Sequence, residues 1–289
     1  MFEGSYVAIV TPFAADGAVD EPALRGLVDW QIESGTHGLV PCGTTGENPT
    51  LSAQERAAVW RITIEQAGGR VPVIAGAGTN NTAETVELCR AAKDAGADGA
   101  LVVVPYYNKP TQAGLHAHFT AAATAGCPVV MYNVPGRTAA SLTVDTIASL
   151  ADNPGIVAIK EATADLAFGS EIHARCGDGL ALLSGDDFTA LPLWAVGGCG
   201  SISVTGNVAP ALAAQCWNAF AAGDLATARA VHERLLPLHA AMFAETNPIP
   251  VKLALSMLGK CRPDARLPIT PAVPATHAVL EELLARVLA

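Results

Sequence analysis

A lysine closes the apolar run Ile156-Val157-Ala158-Ile159, with Glu161 directly behind it. In an arbitrary protein such a lysine is a solvated tip whose stem lies along apolar surface. At the end of a strand that opens on a ligand site, the same amine is stripped of water and suited to add to a carbonyl carbon as a Schiff base. Tyr132 stands at the end of the preceding apolar run, where a phenol could give and take the protons that imine formation requires. Its plain alternative is a rim tyrosine that packs its ring and wets its hydroxyl. The stretch "GTTGE" at 43–47 lacks the Gly-Lys-Ser/Thr ending of a nucleotide loop. Its adjacent Thr44 and Thr45, set between glycines, suit a small carboxylate, and a tight turn capped by hydroxyls accounts for them as well. Arg137 offers a planar fork to a second carboxylate, or is simply a surface arginine in a Pro-Gly turn. Asp186 and Asp187 have no histidine close by in sequence and read as a helix cap, so no metal is expected.

Such groups meet only if the chain brings many strand ends to one place. Eight short apolar runs, at 7–10, 38–40, 71–74, 101–104, 128–131, 156–159, 180–183 and 200–203, are each followed by a Gly-, Pro-, Asn- or Thr-rich turn and then an alanine-rich helical stretch. Continuous apolarity suggests strands buried on both faces, and alternation with helices suggests parallel pairing through right-handed crossovers. A dinucleotide fingerprint is absent after the first run, which disfavours a doubly wound sheet. The expected fold is α/β, a (β/α)8 TIM barrel over 1–222 with a C-terminal helical extension over 223–289. Helices are expected at 208–222, 224–243, 248–259 and from about 275. In such barrels the active site gathers where strands end and βα loops begin, which is where Lys160, Tyr132, Thr44, Thr45 and Arg137 stand.

Bulk properties bound the function. Of 289 residues 51% are hydrophobic and 15% charged, enough for a core and little sign of disorder. A net charge of −10 without a basic cluster argues against nucleic acid. No signal-peptide pattern and no bilayer-length apolar run is present, so the chain reads as soluble and cytoplasmic, without a membrane partner. Seven cysteines without a Cys-x-x-Cys pair read as reduced thiols, not as a zinc or disulfide framework.

The motifs "GSYVAIVTPF", "GTTGE", "VPVIAGAGTNNTAET", "PYYNKP", "YNVPGRT", "IKEAT", "LLSGDD", "GSISVTGNVAP", "NPIPVKLAL" and "RLPITP" occur in that order nearly end to end. Together they resemble the pyruvate-dependent class I aldolase family of N-acetylneuraminate lyase and dihydrodipicolinate synthase. The resemblance implies condensation of pyruvate with L-aspartate 4-semialdehyde to 4-hydroxy-tetrahydrodipicolinate, on the route to diaminopimelate and lysine. It implies no cofactor, since the imine forms between Lys160 and the substrate pyruvate. By the same resemblance Tyr132 passes protons through Thr44 to Tyr107, which reaches in from a neighbouring subunit of a dimer, usually paired into a tetramer. Thr45 and main-chain groups near Ile202 and Gly185 would hold pyruvate, and Arg137 would receive the carboxylate of the aldehyde. "GRT" after "YNVP" disfavours the runner-up, a lyase or aldolase acting on N-acetylneuraminate or a 2-keto-3-deoxy sugar acid. Asn80, Glu84 and Tyr106 match an allosteric lysine site. Ala53 and Arg56 stand where strongly lysine-inhibited relatives carry histidines, which implies weak feedback. A barrel that has lost catalysis and only binds small acids is disfavoured, because a retired site has no need of the lysine, the tyrosine and both threonines.

Overall fold

Eight parallel strands form one sheet, in the order β2-β1-β8-β7-β6-β5-β4-β3, in a computed structural model that describes residues 2–288. They are β1 (Gly4–Val7), β2 (Gly38–Leu39), β3 (Ile74–Gly76), β4 (Gly99–Val103), β5 (Val129–Asn133), β6 (Ile156–Glu161), β7 (Ala181–Ser184) and β8 (Gly200–Ser203). Helices separate them, and the fold is the expected (β/α)8 TIM barrel with C-terminal helices Leu225–Met242, Ile249–Met257 and Pro274–Leu288. Nearly every strand residue is buried, as a parallel sheet covered on both faces requires. By internal contacts the chain divides into two compact units. One holds the first residues with Val73–Ile202, and the other holds Ser5–Pro72 with the chain from Ser203 onward.

Within the first unit the register sets the chemistry. Tyr132 pairs with Lys160, and Asn133 with Glu161, across the β5–β6 ladder. Both strands run further than their apolar cores suggest: Tyr132 and Asn133 lie inside β5, and Lys160 and Glu161 inside β6. Helix boundaries follow local signals. Asn81 accepts hydrogen bonds from the amides of Ala83 and Glu84 to cap Thr82–Asp94. The carboxylate of Asp186 accepts from the amide and hydroxyl of Thr189, at 2.9 and 2.8 Å, closing the turn before helix Ala190–Ala195.

The strands β1 and β3 also depart from the sequence expectation. The run at 7–10 continues past its strand, because β1 ends at Val7. In the second unit Asn207 takes over the next backbone groups: its amide donates to the Ala8 carbonyl (2.8 Å) and its oxygen accepts the Val10 amide (3.1 Å). The third strand starts at Ile74 instead of Val71. Pro72 has no N–H to give a ladder, and the Val73 amide donates to the Asp98 carboxylate at 2.8 Å.

Candidate active site

Lys160 and Tyr132 are 4% and 6% exposed, and the lysine Nζ lies 4.4 Å from the centre of the tyrosine ring. Paired residues on adjacent strands project to the same face, so the register alone brings amine and phenol together. No ion pair among the described residues uses Lys160. A buried amine without a counter-charge is costly to a fold and useful to a nucleophile.

Gly185 makes room for that amine. A Cβ there would lie 2.9 Å from Lys160 Cε and 2.8 Å from the Ala162 Cβ. Its amide donates to the Glu161 carbonyl at 2.6 Å, so that N–H is committed to the backbone and the residue's own contribution is space. Gly185→Ala is expected to displace the lysine and to push the Ala162 Cβ aside with it. The rate of pyruvate-dependent trapping by borohydride should fall by about 10²-fold, the cost of a misplacement near 1 Å; trapping at the wild-type rate would contradict this.

The other residues singled out in the first unit fall into three places. Ile202 is wholly buried in β8. Arg137 is exposed on the single turn Pro135–Thr138, and no ion pair among the described residues engages it. Asn80 donates to the Tyr106 carbonyl at 3.2 Å, and its own carbonyl accepts from Asn108 at 2.9 Å. Glu84 takes a hydrogen bond from the Thr79 hydroxyl at 3.3 Å. Tyr107 is 89% exposed with φ of 74°, a left-handed backbone that costs a bulky residue free energy.

The second unit carries the "GTTGE" loop, and here the structure supplies residues for which the sequence suggested no role. Cys42 and Glu47 bracket the loop with φ of 55° and 56°, and strained non-glycine backbone persists only where its surroundings over-determine it. The Thr11 hydroxyl donates to the Gly46 carbonyl at 2.7 Å. Asn247 donates to the Thr45 hydroxyl oxygen at 3.0 Å, leaving the Thr45 proton free to point elsewhere. Lys252, fully buried, pairs with the Glu47 carboxylate at 2.5 Å, and the Arg266 amide donates to its other oxygen at 2.9 Å. The Phe13 ring lies under both cations, 4.2 Å from Lys252 Nζ and 4.4 Å from Arg266 Cζ. Burial pulls the Lys252 ammonium down from its ordinary pKa, and Glu47 opposes that shift. A lone charged residue in the helix Ile249–Met257, otherwise apolar but for Ser256, is the sequence signal that could have marked Lys252. On helix Ala53–Ala67, which follows the loop, Arg56 is buried, its carbonyl facing the Cys42 thiol; burial pushes that thiol far above its usual range.

The chain matches the family model described as the dihydrodipicolinate synthetase family over residues 1–286. A 4-hydroxy-tetrahydrodipicolinate synthase of Nitratidesulfovibrio vulgaris (Miyazaki F) is 56% identical over 98% of this chain and 97% of its own length. Among solved structures, dihydrodipicolinate synthase from Aquifex aeolicus superposes with a TM-score of 0.96 at 46% identity, covering 98% of this chain and 97% of that one. The chloride-inhibited dihydrodipicolinate synthase from Acinetobacter baumannii, solved in complex with pyruvate, gives 0.97 at 45% identity, covering 99% of each.

Proposed function

Because the chain belongs to the dihydrodipicolinate synthetase family, we propose that it condenses pyruvate with L-aspartate 4-semialdehyde to 4-hydroxy-tetrahydrodipicolinate, through a Schiff base on Lys160. The observation that carries the reading is the buried amine held 4.4 Å from the Tyr132 ring centre by strand register.

The amine of Lys160 adds to the C2 carbonyl of pyruvate and water leaves, giving an imine. Loss of a C3 proton turns the imine into an enamine, whose C3 attacks the aldehyde carbon while the aldehyde oxygen takes up a proton. The amino group of the second substrate then displaces lysine at C2, which closes the ring and frees the enzyme. Each proton transfer needs a group that both gives and accepts, and Tyr132 serves this role. Thr45, its oxygen already satisfied by Asn247, has a proton to offer the pyruvate carboxylate. Arg137, exposed and without an ion-pair partner among the described residues, receives the carboxylate of the aldehyde. Ile202 and Gly185 line the pyruvate position.

No metal or organic cofactor enters this chemistry, since the substrate itself supplies the electrophile. Thr44 relays protons between Tyr132 and the Tyr107 of a neighbouring copy. The exposed, strained Tyr107 supports a homo-oligomer, proposed as a tetramer built from two dimers, because a second copy would bury what one chain leaves in water. Asn80, Glu84 and Tyr106 form the proposed lysine-responsive site, with feedback weakened by Ala53 and Arg56. No helix among the described residues is long and apolar enough to cross a membrane, and a cytoplasmic location suits a pathway fed by pyruvate.

The substrate is tested by offering pyruvate with aspartate semialdehyde, and N-acetylneuraminate or 2-keto-3-deoxygluconate separately. Turnover confined to the semialdehyde is expected. Preferential cleavage of either sugar acid would overturn the assignment of Arg137 and of the reaction.

A further inference from the structure

One residue beyond the reacting pair, Asn133 and Glu161 face each other in the same register. Successive strand side chains alternate between faces, so this second pair lies on the opposite side of the sheet from Tyr132 and Lys160. Asn133 is 0% exposed and Glu161 3%. The Asn133 amide donates to Glu161 Oε2 at 2.8 Å. The other carboxylate oxygen accepts the Thr163 amide in a short hydrogen bond. Asn133 Oδ1 accepts the Leu142 amide at 3.1 Å and the Ser141 hydroxyl at 3.3 Å. Burial raises the Glu161 carboxyl above its ordinary range, and the hydrogen bonds from Thr163 and Asn133 oppose that rise.

The network runs with one polarity only. The Leu142 amide and the Ser141 hydroxyl already claim Asn133 Oδ1, and both Glu161 oxygens only accept, so Asn133 cannot flip without setting donor against donor. A buried carboxylate carries a desolvation cost that an apolar residue would avoid. What it gains here is a rigid tie between the two strand ends and the segment that follows Arg137.

We propose that Asn133 and Glu161 are positioning residues for the condensation: their hydrogen bond fixes the ends of β5 and β6, and through Ser141 and Leu142 the Arg137 segment, so that amine and phenol keep their spacing. The inference rests on the roles given above to Lys160 and Tyr132. Its discriminating feature is polarity. In Glu161→Gln an amide faces an amide, whichever way either turns. In Asn133→Asp a carboxylate faces a carboxylate. The double variant Asn133→Asp with Glu161→Gln restores one donor and one acceptor, with the wild-type net charge.

The experiment measures borohydride trapping of pyruvate on Lys160 and steady-state kcat on the full chain, across pH. Each single variant is expected to lose about 10²-fold in both, and the double variant to recover to within about tenfold of wild type. Asn133→Asp should regain part of its activity as pH falls, because a proton shared between the facing carboxylates restores a donor. A general packing role would produce neither the rescue nor that pH profile. Singles that stay within about threefold of wild type, or a double variant no better than the worse single, would overturn the proposal alone. A wild-type chain that traps no pyruvate overturns the reading of Lys160 and the proposal with it. Where a single variant fails to fold, the double variant decides: folding with turnover upholds the polarity argument, and failure overturns it.

Discussion

Lys160→Ala is expected to remove the borohydride-trapped pyruvate adduct completely and to lower kcat by about five orders of magnitude, the scale of losing a covalent nucleophile. Tyr132→Phe should behave differently. It keeps the ring that Lys160 Nζ faces at 4.4 Å and deletes only the proton carrier, which is worth about 10²–10⁴-fold. Its adduct should therefore still form, slowly, while turnover falls. Near-normal and similar rates for the two variants would contradict both roles. Stability separates these effects from damage to the fold. Lys160 is buried without an ion pair among the described residues, so deleting it relieves an unpaired polar group and opens a small cavity, two opposing costs of similar size. The thermal midpoint of Lys160→Ala is expected to stay close to wild type or rise, as happens where a site has been kept at the expense of stability. A circular-dichroism melt checks this; a large fall would mean that the lysine serves the core.

The positions of the reacting groups were readable because strand burial writes itself into sequence. In Ile156–Glu161 four apolar residues run into Lys160, and that oddity is the proposed chemistry. Reading failed where a side chain substitutes for a ladder. Ala8, Ile9 and Val10 are as apolar and buried as a strand, yet Asn207 bonds the Ala8 carbonyl and the Val10 amide from 199 and 197 positions away. Gly185 illustrates another limit. Its value is the absence of a Cβ against Lys160, and a glycine in "LLSGDD" looks the same whether it turns the chain or clears a path. The support beneath "GTTGE" was out of reach for a simpler reason: Asn247 and Lys252 meet Thr45 and Glu47 across 202 and 205 positions. No local pattern pairs such residues.

Breaking that long-range support should be costly to the stability of the second unit. Lys252 is fully buried, and the side chain of Glu47 is only 2% exposed. An ion pair so placed gains little over a well-packed apolar pair, because desolvation consumes most of the attraction. Removing one partner is another matter, since it leaves the other charge buried and alone. Lys252→Met, which keeps the length and fills the volume, is expected to cost about 3–5 kcal/mol. Adding Glu47→Gln should recover at least about 1 kcal/mol of that loss, because a neutral amide is cheaper to bury than an orphaned carboxylate and still accepts from the Arg266 amide. Denaturant midpoints at constant m value read both. Lys252→Met should also be felt in the proposed site. Glu47 is held in left-handed backbone two residues after Thr45, and without the lysine the loop can relax toward ordinary geometry, carrying the threonine with it. With Thr45 in its proposed role of holding the pyruvate carboxylate, pyruvate KM should rise about tenfold in Lys252→Met, while an adduct once formed still partitions normally to product. A variant that loses stability at unchanged pyruvate KM would confine Lys252 to the core and detach the C-terminal helices from substrate binding.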